Sequence, residues 1–169
     1  MLRPYLLMLV GLTTCMAEAP GGHSEDGTAD LEREAYAEIV RKAAQGDFSE
    51  VTILYLDANV KTRVAVTPQT LANLGCHLHI RGDSPKWKDL IAILQNVSAS
   101  SSERTSGELR WGLLFRETGS THVDELYFGP YYGPQMDSRN VFGYVGRLAA
   151  AFPAALPRQM TSYIQGLGC

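Results

Sequence analysis

Residues 108–134 read ELRWGLLFRETGSTHVDELYFGPYYGP, and this stretch restricts the available folds more than any other. Leu109, Trp111, Leu113 and Phe115 alternate with Arg110, Gly112, Leu114 and Arg116, the period-two signature of a strand with one richly apolar face. Glu117-Thr118-Gly119-Ser120 has turn chemistry, and Val123, Leu126, Tyr127 and Phe128 supply a returning strand. A β-hairpin is therefore predicted here, running straight into an aromatic loop punctuated by proline and glycine.

The remaining elements follow from periodicity and from start and stop residues. Residues 30–45 have a helical pattern, with Leu31, Ala35 and Ile39 in one row, Tyr36, Val40 and Ala43 beside it, and Gly46 at the stop position. Residues 51–66 read as a second hairpin: an apolar strand at 51–56, turn chemistry at Asp57-Ala58-Asn59, and a return over 60–66. Thr67-Pro68 and Ser84-Pro85 each pair a capping hydroxyl with proline at the first helical position. The first opens a short helix closed by Gly75, and the second a helix carrying Trp87, Leu90, Ile91 and Leu94 on one stripe. Residues 76–80 form a short strand between them, and residues 98–107 (SASSSERTSG) a polar loop. Ser138 is expected to cap a helix with Val141, Val145, Leu148, Ala149 and Phe152 on one stripe, ended by Pro153. A last helix over 156–166 buries Met160 and Ile164. The fold class expected is α+β: an antiparallel sheet built from two hairpins plus a short strand, with helices packed on one face.

Composition sets the domain count. At 169 residues, with 45% hydrophobic and 20% charged side chains, the chain fits one globular domain with a substantial core. The N-terminus reads as an export signal. Met1-Leu2-Arg3 places one positive charge ahead of an apolar run, YLLMLVGL at residues 5–12, that is too short to span a bilayer. Small residues at Cys15 and Ala17 suit cleavage after Ala17, whereas a buried N-terminal helix fits poorly with Pro4 and the polar segment that follows. Leu12-Thr13-Thr14-Cys15 resembles a bacterial lipobox, with Thr14 where Gly, Ala or Ser is usual, so a lipid anchor at Cys15 is the alternative route of export. The expected organisation is a signal peptide at 1–17, a Gly-, Pro- and acid-rich flexible linker at 18–28, and one domain at 29–169.

Removing residues 1–17 takes away Arg3 and no acid, leaving 14 basic against 18 acidic residues, a net charge of −4. The basic residues are scattered, which argues against nucleic acid or anionic lipid as the main partner. Cys15 leaves with the signal or carries lipid, so Cys76 and Cys169 remain, and two thiols in an oxidising compartment most simply pair. Such a bridge closes a long loop and is worth roughly 3–5 kcal/mol. Asn96-Val97-Ser98 matches a glycosylation sequon, which means little if the lipobox-like leader marks a bacterial protein.

No catalytic fingerprint is present. Cys76-His77-Leu78-His79, with His122, is the nearest approach to a metal cluster, but a strand puts His77 and His79 on one face and Cys76 on the other. A closed zinc site wants four ligands, and a disulfide would remove Cys76 altogether. Gly-x-Ser-x-Gly and Ser-x-x-Lys arrangements are missing, and Gly129, Gly133 and Gly143 are spaced wrongly for a phosphate loop. Asp124 and Glu125 are strand neighbours and face opposite ways; Asp57 and Asp137 are explained by turn formation and helix capping. No cofactor is implied.

Recognition remains. Tyr127, Tyr131, Tyr132, Gln135 and Met136 concentrate interface-type side chains in and beside one loop, held by Gly129, Pro130, Gly133 and Pro134. The plainer alternative is that these rings cover the open edge of the core. The leading expectation is a small exported protein of the bacterial periplasm or outer membrane. It would bind another envelope protein, as an inhibitor or immunity protein does, and touch membrane only through lipid at Cys15. Its rivals are a cell-wall hydrolase using Asp124 or Glu125 with His122, and a histidine-dependent metal carrier.

Overall fold

The computed structural model describes residues 26–104, 108–130 and 139–168, with side chains from residue 31 onward. In chain order the elements are α1 (Asp26–Gln45), β1 (Phe48–Tyr55), α2 (Pro68–Leu74), β2 (Cys76–Arg81), α3 (Pro85–Gln95), β3 (Ser100–Ser101), β4 (Trp111–Glu117), β5 (Val123–Phe128), β6 (Asn140–Val145), β7 (Leu148–Pro153) and α4 (Ala155–Ile164). The strands form one seven-stranded sheet in the order β2-β1-β4-β5-β6-β7-β3, each neighbouring pair antiparallel. The chain is thus an α+β protein with an antiparallel sheet.

The hairpin read from the sequence lies in the middle of that sheet. In β4 and β5, Trp111 pairs with Phe128 and Leu113 with Leu126, so the apolar face of one strand continues across the other. These residues, together with Val51 and Ile53 of β1, join the larger core cluster. Helices α1, α3 and α4 complete it with Tyr36, Ile39, Val40 and Ala43, with Trp87, Leu90, Ile91 and Leu94, and with Leu156, Met160 and Ile164. Two side chains tie α1 to α3: Tyr36 donates its hydroxyl to the Leu94 carbonyl at 2.8 Å, and the Trp87 indole donates to the Ala43 carbonyl at 3.1 Å. The helix starts behave as their residue types require. Thr67 accepts from the Thr70 amide and Ser84 from the Trp87 amide, with proline next in each case.

Four expectations change. First, residues 141–152 do not form a helix; they make the hairpin β6–β7, closed by Gly146 and Arg147 between Val145 and Leu148. Gly146 has φ +58° while Arg147 stays out of the positive region, the glycine-first pattern of a two-residue hairpin turn. Second, residues 60–66 do not return along β1, because both edges of β1 are taken, by β2 and by β4. The turn itself is present: the Asn59 amide donates to Asp57 Oδ1 at 2.7 Å and the Val60 amide to the Asp57 carbonyl at 3.0 Å. The chain then runs exposed to Val66, which bridges Glu108 in parallel. Third, not all helices share the main core: α2 buries Leu71 in a second cluster with Leu54, Leu56, Val66, Leu109 and Tyr127, residues of the opposite strand parity. Leu109 belongs to this cluster and not to the row of Trp111, because β4 begins only at Trp111. Fourth, α1 starts earlier than expected, at Asp26, and takes in the end of the stretch read as linker. Ser100 and Ser101, within the polar loop, pair with β7 as a minimal edge strand.

Candidate binding site

Arg110 stands just ahead of β4, at the position the alternation assigns to a polar face. Two backbone hydrogen bonds of its own, one of its neighbour and one from its side chain fix it. Its carbonyl accepts from the Leu56 amide at 2.9 Å, its amide donates to the Phe128 carbonyl at 3.1 Å, and the next-door Leu109 amide donates to the Val66 carbonyl at 3.0 Å. Its Nη2 donates to the Val60 carbonyl at 3.2 Å, so the turn after β1 clasps the guanidinium. Arg110 is 3% exposed, and its Nε and Nη1 find no hydrogen-bond acceptor among the described residues. The nearest carboxylate is Glu108, half-exposed, at 3.7 Å from Nη2 and beyond hydrogen-bond reach. A buried guanidinium with idle donors is costly, since desolvation falls in full on each unpaired group.

Arg110 lines a cavity of about 350 Å³ at the end of the sheet, with Tyr55, Asp57, Trp111, Pro130, Pro157 and Arg158 among its walls. Tyr55 and Trp111 pack ring on ring, centroids 4.4 Å apart, and form its aromatic side. The Tyr55 hydroxyl donates to Asp57 Oδ2 at 3.2 Å. Burial, and then the Asp57 carboxylate, push the Tyr55 phenol up. The Asn59 amide holds Asp57 below the ordinary carboxylate range, and the charge of Arg110 adds to this. Gly129 and Pro130, which open the aromatic loop, are both buried, and the Gly129 amide donates to the Phe142 carbonyl at 2.9 Å.

The residues singled out from sequence fall in separate places. Tyr127 is 5% exposed, its ring laid over Gly112 in the second cluster. Burial raises its phenol to about 12, with the Glu125 carboxylate adding to the effect. Tyr131, Tyr132, Gln135 and Met136 lie outside the described residues. Cys76 is disulfide-bonded; its partner also lies outside them, so the pairing with Cys169 remains a proposal.

His77 Nε2 donates to the Ala72 carbonyl at 2.8 Å, and His79 Nδ1 shares a hydrogen bond with Thr52 Oγ1 at 3.0 Å. Among the described residues no three His, Cys, Asp or Glu side chains gather to hold a metal ion. His122 and Asp124 do meet: Nε2 donates to Oδ1 at 3.1 Å, beside a cavity of about 500 Å³. Lys42 reaches the same carboxylate at 3.3 Å and Glu117 at 2.8 Å, and these partners, Glu117 first, raise its pKa. Glu125 takes the other strand parity, beside Tyr127.

Arg110 escaped the sequence reading because one arginine in an alternating strand is indistinguishable from a solvated one. Its guanidinium donates to the Val60 carbonyl, and Pro130 and Pro157 wall the same cavity, none of them adjacent in sequence. No family model, curated protein or solved structure matches the chain. Among the described residues no helix is long and apolar enough to cross a membrane.

Proposed function

We propose that the protein is a small exported binding protein of the bacterial envelope. It acts by recognition, in the manner of an inhibitor or immunity protein, through the loop at 129–137. One observation carries this reading: the loop leaves the sheet from buried Gly129 and Pro130, and Pro130 walls the cavity that Arg110 lines. Tyrosines offer large contact area at low entropic cost, which suits Tyr131 and Tyr132 to recognition. Export rests on residues 1–17, and N-terminal sequencing of native material should begin at Glu18, or find lipid at Cys15. Replacing Tyr131 and Tyr132 together by alanine should preserve the circular dichroism spectrum and abolish capture of an envelope partner held by the wild type. An unchanged set of captured proteins would remove the hypothesis.

The hydrolase reading draws support from the His122–Asp124 hydrogen bond at a cavity. Against it, Lys42 already pairs with Asp124, and Glu125, though it lines the same cavity, takes the opposite strand parity. His122→Ala, Asp124→Asn and Glu125→Gln, assayed singly on cell-wall fragments, decide it: turnover lost in at least one would favour an enzyme.

A further inference from the structure

We infer that the cavity at Arg110 binds the carboxylate of a ligand whose body is apolar or aromatic. This deepens the proposed recognition site, since the cavity shares Pro130 with the loop, but it stands on different residues. Arg110 is nine-tenths buried and more, lines the cavity, and keeps Nε and Nη1 without an acceptor among the described residues; both atoms are closed to solvent in the unliganded chain, so a ligand oxygen reaches them only as the guanidinium or its wall shifts. Guanidinium donors in a low-dielectric wall select planar oxyanions, because each N–H···O⁻ contact is charge-assisted. Pro157, Arg158 and Thr161 of α4 line the same space, so one side of that helix closes the cavity.

The other walls define the rest of the ligand. Tyr55, Trp111, Pro130 and Pro157 present rings and aliphatic carbon, which suit an apolar body. Asp57 and Arg158 line the same cavity with Arg110, a balance of two positive charges to one negative that suits a monoanion such as a carboxylate better than a dianion such as phosphate. The volume of about 350 Å³ accommodates a small organic acid or the last residue of a peptide.

The test titrates the full chain with benzoate, N-acetylphenylalanine, their two neutral amides and inorganic phosphate, following the Trp111 indole resonance by NMR. Saturable binding of either acid, at least about ten-fold tighter than its amide, supports the inference. The tighter acid names the source, a free small acid or a chain terminus. Arg110→Met should abolish the preference for acid over amide while near-ultraviolet circular dichroism reports native packing. Should Arg110→Met fail to fold, Asp57→Asn replaces it, and is expected to tighten both acids several-fold by removing a like charge. Equal response to acid and amide, tighter binding of phosphate, or no effect of Asp57→Asn would each overturn the inference. Carboxylate binding lost while the Tyr131/Tyr132 variant still fails to capture its partner would leave the recognition reading standing alone. The converse result would leave only the cavity.

Discussion

Gly112 and Gly143 act on the sheet from opposite sides of Tyr127. A Cβ on Gly112 would meet the Tyr127 ring at 2.9 Å, whereas one on Gly143 would lie 1.9 Å from the Tyr127 carbonyl oxygen. A ring can shift; paired backbone cannot. Gly143→Ala should therefore cost more than about 3 kcal/mol, read as a lowered urea midpoint. Gly119→Ala, where φ is +71° and nothing lies within 4 Å, should cost only about 1–2 kcal/mol from backbone strain. Titration behaviour belongs to this scale too. Burial raises the phenols of Tyr36, Tyr127 and Tyr163 above their ordinary value near 10. The folded state then holds protons that the unfolded state releases, so this stability is fully present below pH 10 and is lost as pH rises through the folded values. Lys42, raised by Glu117 and Asp124, acts in the same direction. Melting temperature should fall steeply above about pH 10, with late tyrosinate absorbance at 295 nm appearing only as the fold is lost.

Among the elements, the helix starts were legible and the last hairpin was not. Ser84 and Pro85 specify α3 locally: one hydroxyl satisfies an orphan amide, and proline fixes φ where no amide is needed. Ser84→Ala should accordingly cost about 1 kcal/mol in chemical denaturation. Residues 141–152 mislead because Val141, Val145, Leu148 and Phe152 fit a helical stripe and also sit on two strands joined by a tight turn. The deciding signals are Gly143 and Gly146, poor in a helix, and the glycine-first turn Gly146-Arg147. Replacing Gly146 by valine should destabilise the protein without raising its helical circular dichroism; a gain in helix would contradict the hairpin. The return strand expected over 60–66 failed for a reason outside the segment, since β2 and β4 occupy both edges of β1.

Across the whole molecule, the sheet manages its edges by composition and length. β2 exposes His77, His79 and Arg81 at one edge, and β3 is two residues long at the other, so neither invites pairing with another chain. The proposed Cys76–Cys169 bridge also belongs to this scale, because it would tie the segment after α4 to β2. Reduction should lower stability by roughly 3–5 kcal/mol, with a non-reduced digest linking the two cysteine peptides.

Local order along the chain was enough to define the β4–β5 hairpin, the caps of α2 and α3, and the apolar stripe of α3, because short-range sterics and hydrogen bonding settle each within a few residues. It was also enough to define the α+β class. The partner of each strand, the second core around Leu71 and Tyr127, and the burial of Arg110 were decided only in three dimensions. Each depends on which segments fill a given sheet edge or face, and those segments lie far apart in the chain.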